Sequence, residues 1–230
     1  MGYRGYFSEQ GARDFAASLE ADGYDVYTGG VAAYSTLGWF DDPVLSTVIN
    51  RPDYQLAALI FHELAHQLVY VPGDTPFNEG FATLMEREGL RRWLQQQGDA
   101  ATLERAEADA QRRQQFVQLV IDYRSRFQAL YESELEARVM RERKNALQQA
   151  MREDYQALKL GWGGLGSYDA WFAGSLNNAQ LSTVSSYNDL VPGFQRLLNE
   201  AEGDLSAFYG RVQQLAELNK DERAEKLQTE

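Results

Sequence analysis

Hydrophobic positions along this chain recur mostly at helical spacing. Over residues 8–22, Phe15, Ala16 and Leu19 form one stripe, with Ser8 where an N-cap belongs and Gly23 where a helix stops. Leu56, Leu59, Ile60 and Leu64 form a second stripe, which predicts a helix from an Asp53 cap to about Tyr70. Val71-Pro72-Gly73-Asp74 reads as a turn. Thr75 followed by Pro76 reads as the cap and first position of another helix, with Glu79 in its first turn. From Asp99 to Leu160 there is neither glycine nor proline, and Phe116, Val120, Tyr123, Phe127 and Leu130 repeat at steps of four and three. One helix of that length is out of scale for a globular domain, so a turn is expected between Tyr131 and Glu136, giving a helical hairpin.

The period changes in two places. Tyr24, Val26 and Thr28 alternate as a strand does, Gly29-Gly30 signals a turn, and Val31 to Leu37 predicts a second strand. Residues 161–174 then interleave five glycines with Trp162, Tyr168, Trp171 and Phe172. Their aromatics either plug a core or line a site, and the ending of a phosphate loop is missing. Helices are expected again over 177–219 with a break at Val191-Pro192-Gly193, and the charged tail from Lys220 is expected to fray. The fold class that follows is α+β and mostly helical, in a single domain spanning 1–230. Within it a small strand unit (1–50) packs on a helix pair (51–98), followed by the hairpin (99–160) and a glycine/aromatic loop with C-terminal helices (161–219).

Composition narrows the function. A net charge of −12 argues against nucleic acid or an anionic membrane surface as partner. Cysteine is absent, so disulfides and thiolate metal sites are excluded. No apolar run approaches the roughly 20 residues of a membrane span, and Met1-Gly2-Tyr3-Arg4 lacks the apolar core of a signal peptide. The expectation is a soluble protein.

The chemistry concentrates in His62-Glu63-Leu64-Ala65-His66. His62 and His66 are the only histidines of the chain, and on a helix they lie one turn apart on one face. Neutral imidazoles and carboxylates suit zinc, whose catalytic sites keep one position open for water. With no third histidine, Glu79 is the best candidate for the remaining ligand, presented by a second helix packed antiparallel. Zinc-bound water has a pKa of about 7, and Glu63 would take its proton as general base and pass it to the leaving amine. A structural zinc site is the rival reading, although such sites fill four protein ligands and favour cysteine.

The segment His62-Glu63-Leu64-Ala65-His66 followed by Asn78-Glu79-Gly80-Phe81-Ala82 resembles the gluzincin metallopeptidases, notably aminopeptidases with an N-E-G-F-A ligand segment. The resemblance implies Glu79 as third zinc ligand, across a connection shorter than theirs. More of the chain is similar to a bacterial family of predicted aminopeptidases, through Tyr3-Arg4-Gly5-Tyr6-Phe7, Ala33-Tyr34-Ser35-Thr36-Leu37-Gly38-Trp39-Phe40, the metal motif and Asn177-Asn178-Ala179. Members of that family often carry an upstream lipoprotein-type segment. The expected compartment is therefore the bacterial cytoplasm, or the periplasmic side of the envelope where such a segment precedes the chain.

Enzymes of this kind need a donor for the developing oxyanion. Tyr187 is the first candidate, with Tyr168 and Tyr34 as alternatives. The strand Val31 to Leu37, which carries Tyr34, could accept an extended peptide by backbone hydrogen bonds, or could simply be core. An aminopeptidase must also hold the substrate's α-ammonium. Asp41 and Asp42 are candidates for that contact, against a plain turn before Pro43. Glu86 is the alternative anchor, although its place two turns beyond Glu79 suits the support of a ligand better. Asn177 and Asn178 either contact the substrate backbone or cap a helix. The function expected is zinc-dependent hydrolysis of peptide bonds, removing N-terminal residues from short peptides. Its rivals are a zinc endopeptidase acting on extended segments and a non-enzymatic helical interaction protein with a structural zinc.

Overall fold

The computed structural model describes residues 4–30 and 44–228, the side chains of residues 185–187 excepted. Ten helices follow one another among the described residues: α1 (Glu9–Ala21), α2 (Asp53–Leu68), α3 (Thr75–Gln97), α4 (Ala100–Tyr131), α5 (Ala137–Gly161), α6 (Asp169–Phe172), α7 (Asn178–Asn188), α8 (Val191–Glu200), α9 (Leu205–Ala216) and α10 (Lys220–Gln228).

The α+β expectation is overturned. Among the described residues there is no strand, and the fold is mostly helical. Tyr24 to Thr28 is irregular, and its polar groups are taken by the start of α7. Asn177 Nδ2 donates to the Val26 carbonyl at 2.8 Å, and the Asn178 amide donates to Asp25 Oδ2 at 3.1 Å. Alternation makes a strand only when a neighbouring strand pairs with its edge and a packed layer covers one face. Here Tyr24 on one side of the alternation stays 66% exposed and Tyr27 on the other 39%, so neither side is buried. The second expected strand, 31–37, lies outside the described residues.

Two compact units divide the chain, with cuts after Gly30, inside α4 and inside α7. The first comprises Met1–Gly30 and Gln111–Ser185. Ser8 caps α1 by accepting from the Gly11 amide at 3.3 Å, and Gly23, at φ 87°, follows it in the left-handed region. The expected stripe on α4 is buried through Phe116, Val120, Tyr123, Phe127 and Leu130. α4 ends at Tyr131 and α5 begins at Ala137, so the hairpin turn falls where it was expected. The glycine-rich connector serves as a plug. Phe172 stacks on Tyr155 with centroids 4.0 Å apart, and Tyr168 on Phe116 at 3.9 Å.

The second unit comprises Val31–Ala110 and Ser186–Glu230. Its core is built from Ala65 and Val69, then Phe77, Phe81, Leu84 and Met85 of α3, with Phe194, Leu198, Phe208, Val212, Leu215 and Leu227 from α8 to α10. The expected fraying of the tail is not what occurs among residues 220–228. They form α10, which buries Arg223 and Leu227. α8 and α10 meet at Gly193, where an added Cβ would stand 2.1 Å from the Leu227 carbonyl oxygen. Gly193→Ala must therefore push backbone against backbone. Overpacking of this kind costs about 1–3 kcal/mol, and a lowered melting temperature in a thermal scan checks it. An unchanged melting temperature would mean that α10 does not dock there.

Candidate metal centre

α2 and α3 are joined by a six-residue connection, residues 69–74, and run antiparallel. Phe61 lies against Gly89, His62 against Glu86, and His66 against Glu79. The close approach depends on Gly89, where a Cβ would come within 2.7 Å of the Phe61 ring. The connection is held by Asn78. Its Oδ1 accepts from the Val71 amide and its Nδ2 donates to the Val71 carbonyl, both at 2.8 Å. The cap of α3 is Asp74, one residue before the expected Thr75, and Asp53 opens α2 behind Pro52 rather than capping it.

This hairpin brings His62, His66 and Glu79 together, with one donor atom of each within 4.8 Å of the others. The Glu79 carboxylate lies across both imidazoles, with Oε2 3.3 Å from His62 Nε2 and Oε1 3.6 Å from His66 Nε2. Tetrahedral coordination with bonds of about 2.1 Å sets neighbouring donors about 3.4 Å apart. The residues present therefore fit a metal ion. On the far side of His62, Nδ1 lies 3.1 Å from Glu86 Oε2. That contact favours Nδ1 as the protonated nitrogen of the neutral ring, so that the Nε2 lone pair faces the group once His62 gives up its second proton. His66 differs, since its Nδ1 is buried with no hydrogen-bond partner among the described residues.

Electrostatics separate the two imidazoles. Burial works against the charged form of His62, but hydrogen bonds and charge from Glu79 and Glu86 outweigh it and raise its pKa to about 9. Burial holds His66 below the ordinary value. Glu79 partly opposes that shift, and His62 adds to it. The Glu79 and Glu86 carboxylates thus favour a positive charge at His62.

Glu63 is half-buried on α2 beside His62 and stands outside the three-residue group. Of the other candidates, Asn177 and Asn178 belong to the first unit. Asn177 Oδ1 accepts from the Gln180 amide at 2.9 Å, which caps α7. Tyr168 stacks on Phe116 in that unit. Tyr34, Asp41, Asp42 and the Tyr187 side chain lie outside the described residues. Sequence reasoning passed over three residues. Tyr70 sets its half-exposed ring edge-on to His66, with centroids 6.2 Å apart. Asp74 and Arg223 pair beneath the start of α3. For Arg223 the one local signal was its spacing of four from Leu227.

The family model described as "Putative aminopeptidase" matches residues 1–227. The chain belongs to this family. No curated protein and no solved structure matches it. Membership in a family of aminopeptidases makes hydrolysis of peptide bonds its general activity and peptides its substrates. Among the described residues, no helix is long and apolar enough to cross a membrane.

Proposed function

We propose that the chain is a zinc peptidase that removes N-terminal residues from short peptides, with His62, His66 and Glu79 as metal ligands. The observation supporting this is the Glu79 carboxylate set across both Nε2 atoms, with Glu86 on the far nitrogen of His62. Two imidazoles and one carboxylate are the ligand types of catalytic rather than structural zinc. When bound, zinc supplies Lewis-acid activation of water and of the scissile carbonyl at neutral pH. Glu63 accepts a proton from the attacking water and returns it to the leaving amine. Glu86 orients His62 through Nδ1, which suits the support of a ligand better than an anchor for the substrate. Tyr187 is assigned the hydrogen bond to the developing oxyanion, with Tyr34 as the alternative. The peptide backbone is assigned to Tyr34 and its neighbours.

The α-ammonium is assigned to Asp41 or Asp42, and this makes the exopeptidase reading testable. A charge-assisted contact contributes about 1.5–3 kcal/mol, or about ten- to a hundredfold in rate. Acetylating the N-terminus of a short peptide should therefore remove most of the native activity, and a chelator should remove what remains. Either Asp41→Asn or Asp42→Asn should erase the preference for a free amine. Equal cleavage of free and acetylated peptides would make the enzyme an endopeptidase.

A further inference from the structure

We propose that the C-terminal helix α10 is part of the apparatus that holds the metal ligands in register, with Arg223 a positioning residue that acts through Asp74 on Glu79. The inference rests on the metal-binding reading above. In a strongly charged nine-residue helix, Arg223 is only 5% exposed, and Asp74, 149 residues earlier, is 4% exposed. Two guanidinium nitrogens, Nε and an Nη, each lie 3.0 Å from Asp74 Oδ2. The other Nη donates to the carbonyls of Ala216 and Leu218, and the guanidinium lies over the Phe77 ring, 5.3 Å from its centroid. Asp74 uses its second oxygen differently, since Oδ1 accepts from the Phe77 amide at 3.5 Å and caps α3. One buried carboxylate thus ties α10 to the turn of helix that leads into Glu79, five residues on.

The pair is hard to separate, because either charge alone would be left buried. It is also directional, because two nitrogens converge on one oxygen. The connection that ends at Asp74 is the one Asn78 clamps, and the Asn78 amide also donates to the Asp74 carbonyl, so the turn that carries Glu79 is braced at both ends. Ligand distances in a metal site tolerate an error of only about 0.2 Å, so loosening the start of α3 weakens the grip on the ion. Coupling between binding events is reciprocal, so an occupied site must in turn favour a docked α10.

The test measures Zn²⁺ affinity of the full chain by competition with a chromogenic chelator, alongside the melting temperature of the metal-free form. Asp74→Asn keeps a capping oxygen and removes the charge, and Arg223→Lys keeps the charge and removes the fork. Both should weaken Zn²⁺ binding about tenfold. Leu198→Ala, in the same core but on α8, should lower the melting temperature yet leave Zn²⁺ affinity within about twofold. Zn²⁺ should also slow amide exchange in α10 of the native chain, an arm that needs no variant to fold. Native-like affinity in both variants overturns the inference, as does an equal loss in Leu198→Ala or zinc protection that stops at α2 and α3. A native chain that binds no Zn²⁺ overturns the proposed function and this inference with it.

Discussion

Glu63→Gln should abolish turnover while the metal stays bound. The amide is nearly the same size as the carboxylate and keeps the helix surface intact, but it cannot accept a proton from water at neutral pH. Loss of base catalysis costs about 10²–10⁴-fold in rate. Glu63 lies outside the group of residues whose donor atoms converge, so the substitution removes no ligand. Glu79→Gln is the contrasting variant. Its side chain bridges both imidazoles, and the change exchanges an anionic ligand for a neutral one, so metal affinity should fall with activity. The decisive measurements are the single-turnover rate on a short free-amine peptide and the metal content after dialysis. Full activity in Glu63→Gln, or loss of its metal, would remove Glu63 from the role of base.

The grouping of His62, His66 and Glu79 was legible because helix geometry writes it into local spacing. Residues four apart share a face, and a six-residue connection favours an antiparallel return of α3 along α2. The stripe from Phe116 to Leu130 was legible for the same reason, as was the hairpin break before Ala137. Pairings across long separations were not. Tyr24 to Thr28 alternates, yet its partners are Asn177 and Asn178, and no local pattern announces a side chain some 150 residues away. Arg223 sits in a stretch whose charge reads as solvated, and its partner Asp74 looks like an ordinary turn residue. Asn78 was visible only as a letter of the ligand segment. Its work on Val71 emerges once the connection is folded.

Metal removal should have the second large effect, on stability as well as on activity. The three candidate ligands come from two helices, so an ion bound by all of them ties α2 to α3 and is lost when the unit unfolds. A ligand that binds only the folded state stabilises it by about 4 kcal/mol at a thousand times its dissociation constant. For a chain of this size each kcal/mol moves the midpoint by about 2–4 °C, so the expected drop on full chelation is about 8–16 °C. Part of the metal-free structure should survive, because Gly89 already lets the helices touch and Asn78 holds the connection without an ion. The carboxylates of Glu79 and Glu86 keep His62 protonated, which spares the empty site from uncompensated negative charge. Activity should vanish with the metal and return on adding zinc, with the melting temperature rising in parallel. Melting curves that superimpose before and after complete chelation would show that the ion does not bridge the two helices.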